Sequence, residues 1–219
     1  MGKIIAFIHA KGHSSRLANK NIKILGDKPL FCHAVENAKN ANLVDRVIVD
    51  SDSDEILDIA KAYGVTAFKR PGTLATNMTT GDDLAYWEAQ NYKGSFIMLQ
   101  VVPTSPFITS QTIDTAIDIL LQCKEVNSVI GVRREKMYKW ENDKPTYGNK
   151  IPNSNELNDT IYETMGLYVN RTDSVLKTKK RIDVDSCYLF NLSKIESIDI
   201  NTKEDFEFAQ LLWNGLHRK

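Results

Sequence analysis

The sequence predicts a three-layer α/β fold in which a mainly parallel sheet is covered by helices on both faces. Strand-like and helix-like patterns alternate through the first two-thirds of the chain, and repeated βα alternation builds such sheets. The opening run Lys3-Ile4-Ile5-Ala6-Phe7 reads as a buried parallel strand and empties into a long polar loop rather than a hairpin turn. At 219 residues the chain is long enough for one sizeable core and short for two, so a single domain, 1–219, is expected.

Each element follows from local pattern. Pro29 opens a helical run through Phe31, Ala34, Val35 and Ala38, because proline suits a first helical position. Val44 to Asp50 is a strand. Ser53 is an N-cap for a helix through Ile56, Leu57, Ile59 and Ala60, which Gly64 stops. A short strand at Val65 to Phe68 leads into the turn Arg70-Pro71-Gly72. Asp82 to Asn91 is helical, and the almost wholly apolar Ser95 to Val102 is a central strand. Thr112 to Cys123 has helical spacing at Ile113, Ala116, Ile117 and Leu120, and Ser128 to Val132 is another strand.

The alternation then breaks. From Arg133 to about Asp159 the chain is polar and rich in Asn, Lys and Pro, followed by short strand-like runs around Ile161 and Leu167-Tyr168-Val169. A polar excursion of this length in a compact domain is functional, mobile or an interface arm. Tyr138, Trp140 and Tyr147 provide apolar anchors for the last of these. A strand from about Lys194 to Ile200 resumes the alternation. Thr202 to Asp205 reads as a capping box for a final helix with the apolar face Phe206, Phe208, Ala209, Leu212 and Trp213.

Composition narrows the function. Lys+Arg and Asp+Glu both number 28, so no global field favours nucleic acid or an anionic membrane, and any anion site is a local cluster. The three cysteines are far apart and form no Cys-x-x-Cys, so neither a disulfide framework nor a zinc site is indicated. With no signal-peptide core and no apolar stretch of spanning length, a reducing cytoplasm is the expected location.

The local cation cluster is the loop after the first strand, which carries Lys11, Arg16 and Lys20 around Gly12, Ser14 and Ser15. Loops at the carboxyl ends of strands bind ligands in open α/β sheets, and cations with free backbone N–H groups suit a polyphosphate. On spacing alone a solvated basic loop fits equally well. Neither G-x-x-x-x-G-K-[ST] nor G-x-G-x-x-G is present. His9 and His13 are placed to touch a ligand, His33 to pack on a helix and His217 in a solvated tail. Asp199 and Asn201, two apart at the end of the expected strand, offer hard oxygens suited to Mg²⁺; capping of the last helix is the competing role for Asn201. Asp50-Ser51-Asp52-Ser53-Asp54 resembles an Asp-x-Asp metal motif but reads better as capping and helix-dipole chemistry.

Read together, these blocks resemble the acylneuraminate cytidylyltransferase family, the enzymes that make CMP-activated sialic acids. Ala10, Gly12, Ser14, Arg16, Lys20 and Asn21 match the family's opening motif. Gly26-Asp27-Lys28-Pro29-Leu30, Asp45 to Val49, Arg70-Pro71 with Leu74-Ala75, Pro103-Thr104-Ser105-Pro106 and Ser197 to Thr202 follow in family order. Four loop positions depart from the pattern: His9 for Pro, Lys11 for Arg, His13 for Gly and Ser15 for Lys. Lys11 keeps the charge but loses the bidentate fork of arginine. Asn201 stands where the family usually has a second Asp. Gln100 is separated from Pro-Thr-Ser-Pro by two valines, and Thr164-Met165 replaces the usual approach to Gly-x-Tyr.

The resemblance implies a Rossmann-like nucleotidyltransferase domain and a homodimer whose polar arm, about 133–170, reaches the partner's acceptor site. It implies CMP transfer from CTP to the hydroxyl of a nonulosonate-like 2-keto sugar acid, with release of pyrophosphate, serving cell-surface polysaccharide biosynthesis. Lys20 would hold the α-phosphate. Lys11, Arg16, Ala10 and the backbone of Gly12, His13 and Ser14 would hold the rest of the triphosphate. Asn21 and Arg70 would contact the nucleoside, Gln100 the acceptor, and Asp199 with Asn201 the Mg²⁺. An octulosonate or a phosphonate acid is an alternative acceptor. A glycosyltransferase using Asp50 and Asp52, or a non-catalytic nucleotide-binding module, are rival classes.

Overall fold

A computed structural model describes residues 3–92 and 96–218, so the expected start of the central strand at Ser95 lies outside the described residues. Strand β1 (Ile4–His9) shows why a continuous apolar run is needed at the centre of a sheet. Ile4, Ala6 and Ile8 enter one core cluster, while Ile5 and Phe7 enter a second cluster on the opposite face. After a 3₁₀ turn at Lys20–Ile22, a two-residue hairpin pairs β2 (Ile24–Leu25) with β3 (Lys28–Pro29). Pro29 sits at the N-cap of α1 (Leu30–Asn40) rather than inside its first turn.

Strand β4 (Arg46–Ser51) runs into α2 (Asp54–Ala62), where the Ser53 side chain accepts a hydrogen bond from the Ile56 N–H as its cap. Gly64, at φ 72°, turns the chain into β5 (Thr66–Lys69). A capping box at Thr80 and Asp83 starts α3 (Gly81–Asn91), which leads to β6 (Ile97–Val101) and α4 (Ser110–Gln122). Strand β7 (Ser128–Lys136) continues four residues beyond the expected end at Val132. The small hairpin of β8 (Trp140–Glu141) and β9 (Lys144–Pro145) caps the excursion before β10 (Asp159–Arg171). The chain ends through α5 (Thr172–Thr178), β11 (Cys187–Asn191) and α6 (Lys203–Leu216).

The seven-stranded sheet has the order β11-β7-β10-β6-β1-β4-β5. Only β10 runs antiparallel to its neighbours, β6 and β7. Helices α1, α2 and α4 supply side chains to the cluster on one face, and α3 and α5 to the cluster on the other. The expected three layers are therefore present.

Two expectations need correction. The segment from Lys194 to Ile200 is a turn followed by non-strand chain, not a strand. Ile200 is fully buried and Ile198 partly so, because they pack beside Leu17, Phe107 and Phe206 rather than pairing in the sheet. The strand in this part of the chain is β11, whose alternation is hidden by its place at the sheet edge. On α6, Phe206 and Ala209 are buried, but Phe208 faces solvent.

The polar excursion is more regular than its composition suggests. Arg133, Arg134, Glu135 and Lys136 of β7 pair with Tyr162, Ile161, Thr160 and Asp159 of β10, extending the sheet as a two-stranded ribbon. The two strand-like runs around Ile161 and Val169 are one strand whose register shifts between Glu163 and Tyr168. Met165 lies in that irregularity at φ 61°.

Candidate active site

The sheet delivers the first loop to the carboxyl ends of its parallel strands, and neighbouring chain fixes the loop's shape. The Ala10 N–H donates to the Asp50 carbonyl at 3.0 Å and the Gly12 N–H to Asp52 Oδ1 at 2.8 Å. A Cβ on Gly12 would approach the Ser53 Cβ to 2.7 Å, so the close approach of the loop to the N-cap of α2 needs glycine. Asp52 is thus a loop anchor, and Asp54, in the first turn of α2, is paired with Lys69. Asn21 Nδ2 donates to the Lys11 carbonyl at 2.8 Å, closing the loop on itself.

The open cleft beside the loop has a volume of about 220 Å³ and is lined by His9, Lys11, His13 to Arg16, Lys20, Asn21 and Asn77, with Val102-Pro103-Thr104 forming part of the lining. Three cations therefore converge on one concavity, although the chain as a whole is neutral. Lys11 Nζ reaches Asn77 Oδ1 at 2.8 Å. Lys20 is buried and its ammonium donates to the Ile200 carbonyl at 2.9 Å. Burial pushes the Lys20 pKa below its ordinary value, and the Asp199 carboxylate acts in the opposite direction. Arg16 donates to Asn201 Oδ1 at 2.6 Å. The first loop and the chain before α6, about 180 residues apart, meet at these two contacts.

Asp199 and Asn201 are brought to this side of the cleft by non-strand chain. Asp199 Oδ1 is buried without a hydrogen-bond partner among the described residues, as an oxygen reserved for a cation would be. Asn201 fits less well. Its amide nitrogen donates to Asp199 Oδ2 and its oxygen accepts from Arg16. Its backbone N–H donates to Asp205 Oδ2 at 2.9 Å, which joins it to the cap of α6.

Arg70 and Gln100 do not reach the cleft. Arg70 is buried and its guanidinium donates to Asp50 Oδ1 at 2.5 Å. Gln100, fully buried, donates its Nε2 to Glu88 Oε2 at 2.7 Å. Both belong to a buried polar cluster behind His9, whose Nδ1 lies 3.6 Å from Glu88 Oε1. Burial holds His9 down to about 4 and raises Asp50 to about 6 and Glu88 to about 8. The expected capping role of Asp50 is corrected accordingly: its carboxylate is an interior ion-pair partner. His33 packs as expected, with Nε2 2.9 Å from the Leu25 carbonyl and its ring edge-on to Trp213. His217 is exposed but stacks on Trp213 instead of lying free.

Glu88, Asn77 and Arg181 escaped the sequence reading. Glu88 carried a signal: it lies four residues after Leu84 on the buried stripe of α3, the one charged side chain there. Asn77 and Arg181 had none, because tertiary folding alone brings them in. Arg181 lies 3.9 Å above the Tyr168 ring, beside Met165.

The geometry can be set beside known proteins. A family profile described as Cytidylyltransferase matches residues 5–212. The chain is 36% identical over 134 residues to an N-acylneuraminate cytidylyltransferase of Escherichia coli, covering 60% of this chain but only 32% of that relative. It is 29% identical over 235 residues to the CMP-N,N'-diacetyllegionaminic acid synthase of Legionella pneumophila, covering 96% of each. A solved CMP:2-keto-3-deoxy-manno-octonic acid synthetase in complex with CTP superposes with a TM-score of 0.73 at 14% identity, covering 98% of this chain and 99% of that one.

Proposed function

The chain belongs to the cytidylyltransferase family, and from that premise we propose that it transfers CMP from CTP to the hydroxyl of a nonulosonate-like 2-keto sugar acid. The observation that carries this reading is the convergence of Lys11, Arg16 and Lys20 on one cleft at the carboxyl ends of the sheet strands, with the Asp199 carboxylate close to Lys20. The names of full-length relatives, which make CMP-activated acidic sugars, support the acceptor class.

In this reaction the acceptor hydroxyl oxygen attacks the α-phosphorus and gives up its proton to solvent, the bond from that phosphorus to the bridging oxygen breaks, and pyrophosphate leaves. Catalysis of such a transfer is mostly positioning and charge neutralisation. Lys20, fixed by the Ile200 carbonyl, meets the charge that builds on the α-phosphate. Lys11, Arg16 and the N–H groups of His13 and Ser14 hold the β- and γ-phosphates, whereas the Ala10 and Gly12 N–H groups expected to join them are taken by the Asp50 carbonyl and Asp52 Oδ1; Asn21 faces the nucleoside. Asp199 is the residue that holds Mg²⁺ in this reading, and Asn201 joins only by releasing Arg16. When bound, the ion supplies charge neutralisation and Lewis-acid polarisation of phosphoryl oxygens. Arg70 and Gln100 act from behind, through Asp50 and Glu88. A glycosyltransferase reading needs Asp52 free for a metal, whereas its Oδ1 holds the Gly12 N–H.

The test is pyrophosphate release from each nucleoside triphosphate with a panel of keto acids. CTP with a nonulosonate is expected to give the largest kcat/KM. Preference for an octulosonate or a phosphonate acid would reassign the acceptor, and CTP binding without pyrophosphate would leave a binding module.

The protein acts, in this reading, as a cytoplasmic homodimer; among the described residues no helix is long and apolar enough to cross a membrane. The ribbon leaves Met137, Tyr138, Trp140, Ile161 and Tyr162 exposed, an apolar content suited to an interface. Light scattering is expected to give twice the chain mass. Replacing residues 137–158 by a short turn is expected to yield a monomer that binds CTP but has lost acceptor use. A fully active monomeric wild type would leave the arm as a lid within one chain.

A further inference from the structure

Behind the cleft, four buried polar atoms of one side-chain cluster have no hydrogen-bond partners among the described residues: His9 Nδ1, Asp50 Oδ2, Glu88 Oε1 and Gln100 Oε1. Ligand atoms of the first three residues lie within 4.8 Å of one another. Buried polar atoms in native proteins are ordinarily satisfied, so such a concentration marks the place of an occupant. The far oxygens of the two carboxylates are already held, Asp50 Oδ1 by Arg70 and Glu88 Oε2 by Gln100 Nε2. That leaves one oxygen of each aimed inward, the arrangement that outer partners impose on metal ligands.

The scaffold is rigid at this point. His9 and Asp50 are register partners at the ends of β1 and β4, and Glu88 enters from α3 in the opposing layer. The His9 ring presents Nδ1 to the carboxylates, 3.6 Å from Glu88 Oε1, so an imidazole nitrogen is on hand as a donor.

We propose that His9, Asp50 and Glu88 bind one divalent transition-metal ion, with the Gln100 amide oxygen as a neighbouring donor. An imidazole nitrogen beside two carboxylates suits the zinc, manganese and cobalt class, whereas Mg²⁺ prefers oxygen ligands and retained water. The site is separate from Asp199. Because His9 also lines the cleft, the ion sits one imidazole ring away from the phosphate-binding loop. With Arg70 already opposite Asp50, it adds positive charge to that wall. The competing occupant is a single proton shared between Asp50 and Glu88.

The experiment uses chelator-stripped, substrate-free protein, so its failure leaves the CMP-transfer reading intact. Wild type and Asp199→Ala are equilibrated with Co²⁺ or Zn²⁺ alone, desalted, and assayed for metal content, the visible Co²⁺ spectrum and Tm. About one tightly held equivalent is expected in both, with a low-symmetry Co²⁺ spectrum and a Zn²⁺-dependent rise in Tm. Glu88→Gln and His9→Gln, each confirmed as folded by circular dichroism, are expected to bind at least about tenfold more weakly and to lose the Tm shift. Wild type that retains no metal would overturn the proposal in favour of the shared proton. Retention of the same metal and spectrum by either variant would overturn it as well.

Discussion

Lys20→Ala is expected to lower turnover by about a hundredfold or more, equivalent to ~2.7 kcal/mol of transition-state stabilisation, while the protein stays folded. Lys20 is 9% exposed and its ammonium is tethered to the Ile200 carbonyl, so it enters the reaction already oriented. Removing the ammonium leaves the developing charge on the α-phosphate without its preorganised donor. The measurement is steady-state pyrophosphate release beside CTP affinity by calorimetry. A fall in kcat with CTP binding largely retained identifies a transition-state contact. Wild-type turnover in a folded variant would remove Lys20 from the mechanism.

The second large effect is a ranking of two aspartates. Asp199→Ala is expected to abolish Mg²⁺-dependent turnover, and Asp52→Ala to leave most of it. Asp199 keeps a buried oxygen with no partner among the described residues, whereas Asp52 already holds the Gly12 N–H. Losing that anchor loosens the loop by the ~1 kcal/mol of one hydrogen bond, not by the loss of a metal ligand. A Mg²⁺ titration of both variants provides the check. The opposite order would sink the cytidylyl-transfer geometry and favour the glycosyltransferase reading.

The parts of this molecule legible in sequence are those governed by near neighbours. Ser53 and Thr202 cap helices because capping involves only the next three residues. The cationic loop is found where the end of β1 places it, because Lys11, Arg16 and Lys20 lie on one short piece of chain. Contacts over long sequence separations were hidden. Ile198 and Ile200 suggested a strand because core packing and sheet pairing both select isoleucine, and only the partner elements distinguish them. Arg70 and Gln100 carry polar side chains near strand ends, which suits an open site. Asp50 and Glu88, distant in sequence, draw them inside. Helix α5 was missed because β10 passes into it with no glycine or proline between.

The two contacts that join the first loop to residues 200 and 201 have a consequence for synthesis. A chain made only as far as β7 holds β1, β4 and β6 with their helices but not Ile200. Lys20 and Arg16 then have no carbonyl or amide to hold them, and Gly26 lacks the Trp213 ring that lies against it in the finished protein. A nascent or interrupted chain therefore carries the basic loop but not the organised cleft. In the proposed reading, phosphate chemistry therefore depends on residues 200 and 201 as much as on the basic loop itself.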